Sequence, residues 1–137
     1  MARERRVVPF SPAELDNLRN AVAKVEEIHQ FLRGWVNEGY NFDAQTPRRQ
    51  VQLYVSLKLR LTPFSTHLGW AMSLLVPATS RLDSSDTVTQ WLIAAVTKGH
   101  DCNSMMGHGS HIIEEWHAAL DPTQLDIVSW HLWAATP

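Results

Sequence analysis

From Val51 to Leu61 the chain alternates apolar and polar residues without a break. Val51, Leu53, Val55, Leu57, Leu59 and Leu61 stand against Gln52, Tyr54, Ser56, Lys58 and Arg60. On a pleated strand the first set shares one face and the second set the other. Wound as a helix, the apolar set splits into two separated stripes, because residues two apart sit about 200° apart. The alternation therefore predicts a strand. Thr62-Pro63 would end it. Trp70, Met72, Leu74 and Val76 then alternate with Gly69, Ala71 and Ser73, which predicts a second, antiparallel strand, the alternative being a short buried helix over 65–75. Unpaired strands are unstable, so these two need partners in the chain or in another copy of it.

The rest of the pattern is helical. Ser11, Pro12 and Glu14 form a helix start with a capping box. Leu15, Leu18, Val22, Val25, His29, Leu32 and Val36 then recur at alternating spacings of three and four, a heptad seam suited to pairing with another helix. With Gly39 as a stop, this predicts one amphipathic helix over residues 12–38. Residues 40–50 read as a connector and 77–85 as a polar loop. Ser85 or Asp86 would cap a helix that runs to Lys98 and stops at Gly99. Residues 99–110 read as a loop, and Ser110 would cap a helix over 111–120. Asp121-Pro122 would start a last helix carrying Leu125, Val128, Leu132 and Trp133. Residues 1–10 form an arm.

The expected fold is thus a single α+β domain over residues 1–137. It has a long N-terminal helix, a central antiparallel β-hairpin or small sheet, and two to three C-terminal helices, intertwined as a dimer.

Composition narrows the function classes. The chain has 137 residues, of which 45% are hydrophobic and 19% charged, an ordinary globular balance. A net charge of −2 argues against a strongly basic nucleic-acid binder but leaves room for a local patch. Six tryptophans are many for this length and suit buried subunit contacts. The single cysteine, Cys102, allows no internal disulfide and fits a reducing compartment. The apolar run after the basic first residues is too short for a signal peptide. The longest apolar run, Leu68 to Ala78, contains Gly69, Ser73 and Pro77 and does not suit a membrane span. A cytoplasmic or virion location is the expectation, with no membrane partner.

Two side-chain sets carry candidate chemistry. The polar strand face, Gln52, Tyr54, Ser56, Lys58 and Arg60 with Arg48 and Arg49 at its entry, would offer cations to phosphates and a tyrosine ring to a base. The bland counterpart is an ordinary solvated sheet face. The second set is His100, Cys102, His108, His111, Glu114, Glu115 and His117, with ligand types that suit zinc or another transition metal. Glu114 and His117 lie one helical turn apart, as in half of a di-iron site. The other half has no counterpart, and the Cys102, His108, His111 spacing matches no familiar zinc motif. No cofactor is expected. His29 on the seam would make a helix pair sensitive to pH. No nucleophile turn or phosphate loop is present, so catalytic residues are expected to be none.

The stretch Arg49-Gln-Val-Gln-Leu-Tyr-Val-Ser-Leu-Lys-Leu-Arg-Leu-Thr-Pro63, followed by Ser73 to Thr79 and by Asp86 to Gly99, resembles the later part of the coat proteins of small single-stranded RNA phages. The resemblance covers about a third of the chain. It implies two chains sharing one sheet, helices interlocked across the dimer, and RNA contacts on Tyr54, Ser56, Lys58 and Arg60. The long helix over 12–38 departs from it, because that family has strands there.

The leading expectation is a non-enzymatic, self-assembling structural protein of coat type, a homodimer or larger assembly whose polar sheet face contacts RNA. A helical metal-binding protein or small metalloenzyme using the cluster at 100–117 is one alternative. An adaptor that docks a partner helix on the heptad seam is the other.

Overall fold

The computed structural model describes residues 9–81 and 85–120. Three long helices follow one another: α1 over Pro12–Gly39, α2 over Pro47–Ala78 and α3 over Thr87–Ala119. One turn of 3-10 helix, Phe42–Ala44, sits in the α1–α2 connection. Each helix packs against both others, giving a three-helix bundle. Among the described residues there is no strand. The expected α+β fold, its hairpin and its shared sheet are therefore replaced by an all-helical bundle. The arm over 1–8 and the last helix after Pro122 lie outside the described residues.

Start signals are where the sequence puts them. Ser11 accepts from the Glu14 N–H at 3.1 Å while the Glu14 carboxylate accepts from the Ser11 N–H at 2.9 Å. That closes the capping box and satisfies two otherwise orphaned donors. Thr46 caps α2 through the Arg49 N–H, and Asp86 caps α3 through the Val88 N–H.

The core is three heptad stripes that face one another. α1 buries Leu18, Ala21, Val25, Ile28, Leu32 and Trp35. The later half of α2 buries Phe64, Leu68, Ala71, Leu75 and Ala78, and α3 buries Leu92, Ala95, Gly99, Cys102, Met106, Gly109, Ile113 and Trp116. Alternating steps of three and four keep each stripe on one side of its helix, the geometry of left-handed bundles. The α1 stripe is rotated from the expected seam. Leu18, Val25 and Leu32 are shared, whereas Leu15, Val22, His29 and Val36 are half-buried at the edge. A helix that touches two neighbours centres its apolar face between them, which brings Ala21, Ile28 and Trp35 inward. The seam thus packs within the chain.

The expected strands, loop and cap differ from the structure for physical reasons. The alternation over 51–61 does split into two helical stripes, but both are buried from Val51 to Leu57, with Leu59 exposed beyond them. Val51 and Val55 lie on one side, Leu53 and Leu57 on the other, with Tyr54 between them. The strand reading assumed one buried face, and this part of α2 has two. The region from Trp70 to Val76 is likewise helix, and α2 runs through Pro63 and Pro77. The expected loop over 99–110 is the middle of α3. Gly99 and Gly109 sit on the packed side: a Cβ at Gly99 would overlap the Met72 thioether, and one at Gly109 would lie 3.0 Å from Leu57 Cδ2. Close approach of α2 outweighs their poor helix propensity. Ser110, expected as a cap, instead donates to the Met106 carbonyl at 3.0 Å.

Candidate functional site: the outer face of α2 and α3

The expected RNA face does not exist as a face. Tyr54 is fully buried, and its hydroxyl is hydrogen-bonded to His117 Nδ1 at 2.7 Å, so the ring has no open side for a base. Arg49 donates through Nε to Glu38 at 3.0 Å and through Nη1 to Gln52 at 3.2 Å. Arg60 donates to the Ser56 carbonyl and hydroxyl and lies over the Phe31 ring at 4.7 Å. Arg48 is exposed, and the exposed Lys58 has its ammonium 5.8 Å from the centre of the Tyr54 ring. Winding the segment into a helix separates residues that a strand would align. Arg49, Gln52, Ser56 and Arg60 fall along the α1 side, with Tyr54 and Lys58 turned away from them.

The metal-type residues disperse in the same way. Cys102 is buried against α1, with Sγ 3.9 Å from the Val25 carbonyl, and burial followed by the Asp101 charge pushes its thiol up to about 11. His100, His108, His111 and Glu114 lie on exposed parts of α3. His117 is held by Tyr54. Among the described residues no group of three or more histidine, cysteine, aspartate or glutamate side chains is arranged to hold a metal ion.

Among the described residues, charged contacts tie α1 to α2, to α3 and to Arg81. Glu26 pairs with Lys98, and His29 Nε2 lies 2.8 Å from Asp101 Oδ2. Arg81 holds Glu14 at 2.6 Å, donates to the Pro9 carbonyl at 3.0 Å and stacks on Phe10. Its guanidinium, helped by the Ser11 N–H, holds the Glu14 carboxyl down at about 2.

These pairings leave one surface without charge. From Leu61 to Ser80 the chain has no Asp, Glu, Lys or Arg. From Thr87 to Ile113 it has two, Lys98 and Asp101, and both are drawn to the α1 side by Glu26 and His29. The outer face shared by the later half of α2 and the facing side of α3 is therefore neutral. It also exposes Val76 at 46% and Ile93 at 41%, while Trp70, 45% exposed, lies on the neighbouring ridge with Ser73, Leu74 and Pro77 that borders α1. Between the two helices a groove of about 350 Å³ is lined by Ser65, Gly69, Met72, Gly99, His100 and Asn103 among others. Nothing lies within 4 Å of where a Gly69 Cβ would sit.

Sequence reasoning passed over this surface because it was sought in charged and metal-binding residues. The available signal was an absence, twenty consecutive positions without a formal charge between Arg60 and Arg81. Among the described residues no helix is long and apolar enough to cross a membrane. Comparison with protein-family models, curated proteins and solved structures gives no match for this chain.

Proposed function

We propose that the protein is a non-enzymatic structural protein that acts by associating with further copies of itself. The observation that carries this is the charge-free outer face of α2 and α3, with Val76 and Ile93 exposed on it and Trp70 exposed on the neighbouring side of α2. Exposed apolar groups gathered on a surface without formal charge suit the centre of an interface. Bringing two such faces together strands no buried charge, which removes the largest desolvation cost of association.

The bundle has a core of its own, so association is expected to be reversible rather than obligatory for folding. Unpaired strand edges, which would have needed a partner in the chain or in another copy, are absent among the described residues. RNA is not part of this reading, because Tyr54, Arg49 and Arg60 have partners inside the chain. Light scattering after size exclusion, over a micromolar concentration series, tests the proposal. The weight-average mass should rise with concentration toward that of a dimer or larger species. A constant mass of one chain throughout would overturn it.

A further inference from the structure

Val51 and Val55 are both 0% exposed, yet neither faces another helix of the bundle. Leu53 and Leu57 mark the inward side of α2 at this height. Gly109 of α3 lies against Leu57, and the Trp35 indole of α1 donates to the Leu53 carbonyl. On the α1 side lie Arg49, paired with Glu38, and Arg60, over the Phe31 ring. On the α3 side lies Tyr54, bonded to His117. Val51 and Val55 stand two residues before and after Leu53, so each is turned about 160° from it and points away from both neighbours. Side chains on that outer side should meet water. Lys58, Thr62 and Thr66, further along it, are exposed.

The outer side of α2 is therefore covered over its first turns and open beyond them. Among the described residues, Phe42 precedes this part of α2, but its ring stacks on Trp116 with centres 3.9 Å apart and its carbonyl accepts from Gln50. Both contacts put it on the α3 side. Three stretches of the chain lie outside the described residues. Residues 1–8 lead into Pro9, whose carbonyl is held by Arg81 beyond the far end of α2. Eight extended residues span at most about 28 Å, whereas the helix from Val55 to Ala78 is about 35 Å long. Residues 82–84 join Arg81 to Ser85 at that same far end. Residues 121–137 start beside the covered side, because His117, three residues before the Leu120 cap, holds Tyr54.

We propose that residues 121–137 pack across the outer side of α2 and cover Val51, Tyr54 and Val55. Leu120 is buried and extended, with φ −84° and ψ 148°, so the chain leaves the helical path of α3 at this height. The residues that follow have the composition a cover needs. They include Leu125, Ile127, Val128, Trp130, Leu132 and Trp133, and Asp121 and Asp126 are their only charged side chains at neutral pH. Leu125, Val128 and Leu132 recur at spacings of three and four, as the other core stripes do. Val51 and Val55 are fully buried within a single chain, so the segment belongs to the same chain as the α2 it covers. The two-sided burial of the first half of α2 then has a cause on each side. The self-association reading does not depend on this contact, since Val76 and Ile93 lie beyond it.

Maleimide labelling of the full chain in a Cys102→Ser background tests this. Val55→Cys should label roughly ten-fold or more slower than Thr62→Cys. Adding Val128→Asp and Leu132→Asp should raise the Val55→Cys rate by a similar factor and leave Leu68→Cys, in the inner stripe, slow. Fast labelling of Val55→Cys in the otherwise unchanged chain would overturn the inference. So would a slow rate that the two aspartates leave unaltered. If Leu68→Cys also became fast, the aspartates would have opened the whole bundle, and cross-linking decides. For that, Val55→Cys is paired in turn with Leu125→Cys, Val128→Cys and Leu132→Cys and treated with a short bis-maleimide at high dilution. At least one pair should give an internally linked single chain. Links only between two chains would overturn the same-chain assignment and show a segment exchanged between copies. No link at any of the three positions would overturn the contact itself.

Discussion

The two halves of α2 are built by different rules on one continuous helix. Residues 47–60 carry four cations and bury side chains on both sides, with Val51 and Val55 opposite Leu53 and Leu57. Their polar groups are used within the chain, as Arg49 with Glu38 and Tyr54 with His117 show. Residues 61–78 carry no charge, bury a single heptad stripe and leave the opposite side open with Trp70 and Val76 on it. The first half is the embedded part of the scaffold. The second half is a surface. Charge in α2 therefore goes with the half embedded between its neighbours, and the half left open on its outer side is the neutral one.

That comparison is broken most sharply by placing one charge in each half. Val55→Lys and Leu57→Lys each bury an unpaired ammonium and should cost roughly 3–5 kcal/mol. Thr66→Lys, on the open side of the second half, should stay within about 0.5 kcal/mol. Urea unfolding at low protein concentration reads all three. If Val55→Lys were tolerated while Leu57→Lys unfolded the protein, only one side of the first half would be buried.

The helix starts at Ser11 and Asp86 and the length of α1 were legible, because caps are local chemistry, and local chemistry is what a sequence displays; Thr46, which caps α2, reads as part of a connector. The failures arose where burial came from two directions. Alternation over Val51 to Leu61 looks identical for a strand with one buried face and a helix with two, and periodicity carries no information about how many neighbours a segment has. The α3 stripe was obscured differently. Gly99, Cys102 and Gly109 occupy its inward positions, and small residues there read as a loop until α2 is seen against them. The expected gathering of the RNA-type residues on one strand face and of the metal-type residues in one loop fell with these assignments, because each depended on a strand or loop that is helix.

Aromatic packing gives the next effect in size. Trp35 lies against Trp116 with ring centres 5.0 Å apart, and its Nε1 donates to the Leu53 carbonyl at 3.0 Å. Trp35→Ala should destabilise by about 3–5 kcal/mol. Trp70→Ala should cost far less in a monomer, since the indole is already half in water. Thermal melts of the two variants, compared side by side, measure the difference between an anchoring and a displayed tryptophan.

A smaller effect concerns single polar groups. Tyr54→Phe removes the hydrogen bond to His117 and should cost about 1 kcal/mol. Thr89 is buried with its hydroxyl unpartnered, so Thr89→Val should be neutral or stabilising by up to about 1 kcal/mol. Denaturant midpoints for both variants would show opposite signs or a zero for Thr89→Val. A clear loss at Thr89 would reveal a partner for that hydroxyl.

The smallest expected effect is at acid pH. Glu14 has a carboxyl held at about 2 by Arg81, below its ordinary value of 4.5. A carboxylate with a lowered folded value contributes stability above pH 4.5, and that contribution is lost as pH falls toward 2. The pair is at the surface, so the loss should be small. Glu14→Gln should flatten this part of the melting-temperature profile between those values. An unchanged slope would assign the acid sensitivity to other groups.

The central claim is that one helix runs from Pro47 to Ala78 with its first half buried on two sides and its second half on one. Cysteine scanning from Val51 to Pro77 in a Cys102→Ser background, read as thiol labelling rate in dilute monomer, tests it most directly. The account predicts slow labelling at Val51, Leu53, Tyr54, Val55 and Leu57 alike, then a helical rhythm in which Thr62, Thr66, Gly69 and Ser73 label fast while Phe64, Leu68, Ala71 and Leu75 label slowly. Rates that alternate at every second residue through the scan would contradict it and return the segment to a strand.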